Sequence, residues 1–283
     1  MTLKNVQKNL TYLAIFGLLL FASCQSNDGV ELVEPLTTEE ALNVVLADDL
    51  SAEIDDVVED DALDYNLSAK GTDSNTSSAA KCAVRTVVDT TDGKIVTLDF
   101  GTGCIGRKGK EFAGKIIIEY VRTATGFSKT VTFENFSVEG NAIEGEKSIA
   151  KVKENANGNP EATFTVDIKI TLTTGEEITK KGTKVKEKIA GADTKDRGDD
   201  VYSISGNWES VDKTGIIKTA LITTNLRREY ACKYIVSGVV QITKDGDAST
   251  LDFGDGTCDN LATLTDSTGS STEITLKEHK RGK

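Results

Sequence analysis

Thr97-Leu98-Asp99-Phe100-Gly101 recurs later in the chain as Thr250-Leu251-Asp252-Phe253-Gly254. Each copy runs on through glycine to a cysteine, Gly103-Cys104 in the first case and Gly256-Thr257-Cys258 in the second. Each is preceded by another cysteine, Cys82 or Cys232. Between that cysteine and the motif lie an apolar run, an Asp-Gly pair and a second apolar run. Asp-Gly between two strand-like runs marks a β-hairpin, so Asp92-Gly93 and Asp245-Gly246 are expected at turns. Residues equidistant from a hairpin turn face each other. Four cysteines permit three pairings. The turn symmetry selects Cys82 with Cys104 and Cys232 with Cys258, each at the open end of its hairpin. Each bond would close about 20–25 residues and stabilise by about 3 kcal/mol.

Working outward, the chain continues as strands and turns. In Thr163–Thr173 the residues Phe164, Val166, Ile168, Ile170 and Leu172 point one way, and the Thr, Asp and Lys residues between them point the other. One buried and one wet face is the pattern of an antiparallel sheet. Lys115–Val121, Thr130–Val138, Ala142–Val152, Val201–Val211, Ile216–Thr224 and Thr272–Leu276 also read as strands. A phase slip near Asn135 predicts a bulge. Ile178–Ile189, rich in Lys and Thr, reads as an edge or highly solvated strand. Phe136-Ser137-Val138-Glu139-Gly140-Asn141 echoes Tyr202-Ser203-Ile204-Ser205-Gly206-Asn207, which with the cysteine hairpins suggests two related halves. The expected fold is all-β, an antiparallel meander over residues 81–283. It forms a sandwich or a strongly curled sheet, preceded by a short acidic helix.

Charge is unevenly spread. Of 33 bases and 45 acids, two bases (Lys4 and Lys8) and fourteen acids precede residue 70, leaving 31 of each for the remainder. A neutral body with one acidic arm argues against nucleic acid as a partner. Within the arm, Thr37 and Glu40 form a capping box. Leu42, Val45, Leu46, Leu50, Ile54, Val57 and Val58 follow at helical spacing, with acids on the other face. Seven aliphatic residues on one face call for cover, which predicts docking on the β domain. The alternative is a solvated spacer that binds a basic partner. Residues 24–65 thus read as tether and helix, and residues 66–80, rich in Ser, Thr, Asn and Ala, as a flexible linker.

Residues 1–23 have the form of an export signal. Lys4 and Lys8 are followed by an apolar run too short to span a bilayer. Leu20-Phe21-Ala22-Ser23-Cys24 resembles the lipobox of bacterial lipoproteins, with Phe21 where that pattern prefers Leu. The resemblance implies cleavage before Cys24, acylation of its thiol and a membrane partner held through lipid. Removing Cys24 from the five cysteines leaves an even four. Gln25-Ser26-Asn27-Asp28-Gly29 looks like the polar tag of surface-exported lipoproteins of Bacteroidota. The mature chain resembles a group of uncharacterised lipoproteins from Bacteroidota. The resemblance lies in the lipobox, the acidic helix, Asp99–Cys104, Gly114–Ile118, Gly158–Pro160, Asp200–Tyr202 and Asp252–Asn260. It implies an outer-membrane location, facing the periplasm or the surface, and carries no activity to transfer.

The residue inventory narrows the chemistry. His279 is the single histidine and sits in a charged tail, so a Ser-His-Asp or Cys-His device and a histidine zinc site have no parts. Asp-Phe-Gly is also a protein-kinase signature, but no His-Arg-Asp loop or phosphate loop accompanies it. Asp252, Asp255 and Asp259 cluster around glycines, yet their spacing fails the EF-hand pattern, and turn chemistry accounts for them. Arg197-Gly198-Asp199 matches the integrin-binding tripeptide in an acidic polar loop, where such a match is cheap. No catalytic residue, metal ligand or cofactor site is expected. A glycosidase needs two carboxylates and commonly an aromatic platform. Trp208 is the candidate for a sugar contact, with a core position as its alternative. The sequence therefore points to a non-catalytic structural or binding lipoprotein with a protein or glycan partner. The alternative is a carboxylate-dependent carbohydrate-active enzyme or a surface glycan-binding protein.

Overall fold

Short turns and two-residue alternation leave each strand little choice but to pair with the one before it, and the chain does this almost without exception. The computed structural model describes residues 35–68, 82–106, 109–122, 126–194, 196–212 and 214–276. The expected export signal, Cys24, the expected tether up to residue 34, residues 69–81 and His279 lie outside the described residues. Helix α1 (Thr38–Ser68) comes first and runs 31 residues, into the stretch expected to be linker. Then follow β1 (Val84–Asp89), β2 (Gly93–Asp99), β3 (Cys104–Ile105), β4 (Glu111–Arg122), β5 (Gly126–Val138), β6 (Asn141–Val152) and β7 (Glu161–Thr171). After them come β8 (Glu177–Ala190), β9 (Val201–Asp212), β10 (Ile217–Glu229), β11 (Ile235–Lys244), β12 (Asp247–Asp255), β13 (Leu261–Thr265) and β14 (Ser271–Thr275).

All fourteen strands belong to one antiparallel sheet in chain order, save that β2 pairs with β4 and the short β3 pairs beside it on β4. β1 and β14 are the two free edges, so the sheet is open. Of the two architectures that the pattern allowed, this is the single sheet. In β7, Phe164, Val166, Ile168 and Ile170 are buried as their alternation requires. The bulge at Asn135 is present. Asn135 has φ 48° and the facing Gly114 has φ 76°, with register shifts on both sides of β5. A side chain at Gly114 would start 2.1 Å from the Asn135 carbonyl oxygen, which is why glycine stands there.

The strand expected at an edge or highly solvated is not at an edge, though only Ile178 and Lys180 of its residues are buried. β8 pairs with β7 on one side and β9 on the other. Its Lys180 has no exposed surface. Lysine is a solvated-strand signal only when no counter-charge waits inside, and here α1 supplies it.

The hairpin turns divide. Asp245 (φ 50°) and Gly246 (φ 85°) form the expected two-residue turn between the paired Lys244 and Asp247. Asp92-Gly93 does not, because Asp89 pairs with Lys94 and leaves a four-residue loop. Gly93 is needed for a different reason: a Cβ there would fall 1.7 Å from the Tyr120 carbonyl oxygen. The hexapeptide echo also separates. Glu139-Gly140 is the β5–β6 turn, whereas Ser205-Gly206 is in mid-strand β9. The repeated Leu-Asp-Phe-Gly stretch is alike in structure as well as sequence. Leu98, Leu251, Phe100 and Phe253 are buried. The Gly101 and Gly254 amides donate to Asp99 and Asp252 at 2.9 Å in both copies. Cys82 is bonded to Cys104 and Cys232 to Cys258, with Cα atoms 5.9 and 5.8 Å apart.

Candidate functional site: an acidic helix on a lysine-lined trough

The capping box starts α1 as the sequence requires. Thr37 N–H donates to the Glu40 carboxylate at 2.9 Å, and Glu40 N–H donates to Thr37 Oγ1 at 3.2 Å. Ala41 and Val44 then join an apolar cluster with Ile204, Trp208, Ile222, Val240 and Leu251. Ala47, Leu50, Ile54, Val57 and Val58 join a second cluster with residues of β2 to β8, including Phe112, Ile118, Ile149 and Ile170. A helix that packs on both halves of one open sheet lies in a trough formed by the sheet's inner face.

Two described acids of α1 are buried and five are partly buried, while Glu39 is exposed. Glu53 is 4% exposed and Asp56 is 9% exposed. They meet cations that rise from the trough floor. Near the helix start, Glu40 pairs with Lys244 of β11 at 2.9 Å and Lys218 of β10 at 3.4 Å. In the middle, Asp48 accepts from Lys180 and Lys184 of β8 at 2.5 and 2.6 Å. Glu53 meets Lys110 at 3.2 Å, and Asp55 meets Lys147 of β6 at 2.6 Å. Lys147 also donates to the Ser51 carbonyl at 2.5 Å. Asp56 meets Arg228 of β10 at 3.3 Å, and Glu59 binds Lys151 of β6. Lys129 of β5 donates to the Val58 carbonyl at 3.3 Å. Lys110, Lys129, Lys147, Lys180, Lys218 and Lys244 are all buried.

Burial and pairing pull these groups in opposite directions. Burial would raise Asp48, but Lys180 and Lys184 outweigh it and hold the carboxyl far below the usual range. Burial likewise opposes ionisation of Glu59, yet Lys151, Lys186 and Lys129 bring it down to about 2. At Asp55 burial prevails over Lys147 and the carboxyl rises. Burial pushes Lys180 down to about 8 against the attraction of Asp48.

Trp208 is a floor residue of this trough and presents no open ring to a sugar. It is 4% exposed. Lys180 Nζ lies 4.2 Å and Lys184 Nζ 5.5 Å from its ring. It faces Gly182 across the β8–β9 ladder, where any Cβ would start 2.5 Å from that of Trp208. A cavity of about 130 Å³ opens beside the helix start, lined in part by Thr37, Glu40, Asn43, Asp212 and Lys218. Its two carboxylates with close ion-pair contacts, Glu40 and Asp212, converge on Lys218. Burial opposes their ionisation, but hydrogen bonds and Lys218 lower both, Asp212 to about 2. Neither is a protonated acid of the kind glycoside cleavage requires.

The remaining acids have local work. Asp252, Asp255 and Asp259 accept from the amides of Gly254, Thr257 and Leu261 at 2.9, 3.2 and 3.0 Å. Among the described residues no group of three or more His, Cys, Asp or Glu side chains could hold a metal ion. Arg197–Asp199 forms one 3-10 turn, with Gly198 and Asp199 exposed. The inward lysines were missed by sequence reasoning. Their signal is lysine at every second position of β8, Lys180, Lys184, Lys186 and Lys188, broken at that spacing by Gly182. No family model matches the chain, and no curated protein or solved structure matches it either.

Proposed function

We propose that the chain is an exported lipoprotein, anchored through Cys24 at the outer membrane, with a non-catalytic structural or binding role. The observation that carries the non-catalytic part is the occupancy of the trough. The face where an open curled sheet would receive a substrate is filled by the protein's own helix. Most of its buried titratable groups are spent on one another as ion pairs, and Lys129 on the Val58 carbonyl. Two disulfides in the sheet agree with an oxidising compartment, which an exported chain reaches. The lipid anchor rests on the Leu20–Cys24 pattern.

The test of the anchor is Cys24→Ala. The variant should lose labelling by a fatty-acid analogue and should leave the membrane fraction. Each buried methylene contributes about 0.8 kcal/mol, so a two- or three-chain anchor holds firmly and its loss is plain to see. A Cys24→Ala protein that is still labelled refutes the anchor.

A further inference from the structure

The helix has a peculiar seat. It shares no β-ladder with the sheet, and neither disulfide ties it down. Both bonds instead staple the hairpin of β1 and β2 and that of β11 and β12. The sheet is therefore cross-linked near both its edges independently of α1. What holds α1 is apolar packing and a row of ion pairs. Buried ion pairs are a poor source of net stability, because desolvation offsets the attraction, and aliphatic residues in their place would often hold as well or better. Their value is discrimination, since a buried cation rejects any occupant that lacks an anion at that place.

The spacing of the cations says what kind of occupant is selected. The pairs run from Glu40 on Lys218 and Lys244, through Asp48 on Lys180 and Lys184, to Glu59 on Lys151. Glu40 to Glu59 spans about 28 Å of helix at 1.5 Å per residue. A fatty acid or phospholipid brings one anionic head and would leave most of these lysines buried without a partner. A nucleic acid brings the charge without the apolar surface that Ile118, Ile149, Ile170 and Val240 demand. A helix with carboxylates repeated along its length and aliphatic residues between them meets both requirements.

We propose that the trough is a recognition site for acidic amphipathic helices of other polypeptides and that α1 is its resident, exchangeable occupant. A partner helix enters as α1 leaves, replacing its apolar contacts and its carboxylates together. This site is independent of anchoring at Cys24.

The experiment uses the full chain in detergent and, as probe, a fluorescein-labelled peptide of residues 35–62. In the Asp48→Lys chain, repulsion from Lys180 and Lys184 weakens the resident helix. This chain should bind the probe at least 10-fold more tightly than wild type, in which α1 competes. A peptide with its Asp and Glu changed to Asn and Gln should bind neither chain. If Asp48→Lys does not fold alone, adding the probe during refolding should restore its β-sheet circular dichroism, and Asp48→Asn provides the milder variant for the binding assay. The proposal is overturned if neither variant retains or is rescued by the probe, if the neutral peptide binds equally well, or if phosphatidylglycerol vesicles displace α1 where the acidic peptide does not.

Discussion

Lys180 of the central strand β8, with no exposed surface, donates to Asp48 of α1 at 2.5 Å, and Lys184 reaches the same carboxylate oxygen at 2.6 Å. One acid thus answers two buried or half-buried cations, in contact with the ring of Trp208.

Removing that acid should be costly. Asp48→Asn leaves both lysines without their anion and should lower the unfolding free energy by about 3 kcal/mol, read from urea denaturation. The same region made wholly apolar, with Asp48→Leu, Lys180→Met and Lys184→Met together, should recover most of the loss or exceed wild type. A single substitution with no effect would show that the pair bears no weight in the folded protein.

Acid should loosen the seat in a defined window. The Glu59 carboxyl sits at about 2 in the folded protein against an ordinary 4.5. Its stabilising contribution is therefore complete above pH 4.5 and is lost as pH falls toward 2, about 3 kcal/mol in all. Asp48, also held low, is lost in the same direction. Asp55 opposes them, because its raised carboxyl takes up a proton first. Trp208 is the single tryptophan of the chain, so its emission reports the trough directly. The emission should shift to the red between pH 4.5 and 2. An unchanged spectrum down to pH 2 would contradict the assignment of Glu59.

The disulfides should be local. Non-reducing peptide mapping should give two linked pairs, Cys82 with Cys104 and Cys232 with Cys258. Cys82→Ser should free Cys104, leave the other bond intact and cost about 3 kcal/mol by releasing the closed loop. A peptide linking Cys82 to Cys258 would overturn the hairpin assignment.

Much of the fold was legible because alternation is a local signal. Phe164 to Ile170 declare a half-buried strand with no knowledge of the rest of the chain, and Asn135 betrays its bulge by a slip of phase. The cysteine pairing followed from turn symmetry even though Asp92-Gly93 is not itself the tight turn. That β8 is not an edge, and that Lys180 faces inward, escaped the sequence for the opposite reason. Whether Lys180 faces water or the interior depends on Asp48, far away in sequence, and no window along the chain contains both. The same non-local pairing buries Glu53 and Asp56 of α1 and half-buries Asp48, Asp55 and Glu59. It also placed Trp208 on the trough floor. The hexapeptide echo misled because Gly140 serves a turn and Gly206 a strand, and sequence alone does not separate those uses.

The central claim is that α1 is seated in the trough with its acids paired, and amide hydrogen exchange tests it most directly. In the intact protein at pH 7, the amides from Leu42 to Glu59 should exchange at least about 1,000-fold more slowly than in an unstructured chain, as part of a packed element. They should lose that protection in Asp48→Lys while β7 keeps its own. Exchange of these amides at the unstructured rate in the wild-type protein would mean that the helix is a free spacer, and the account would fail.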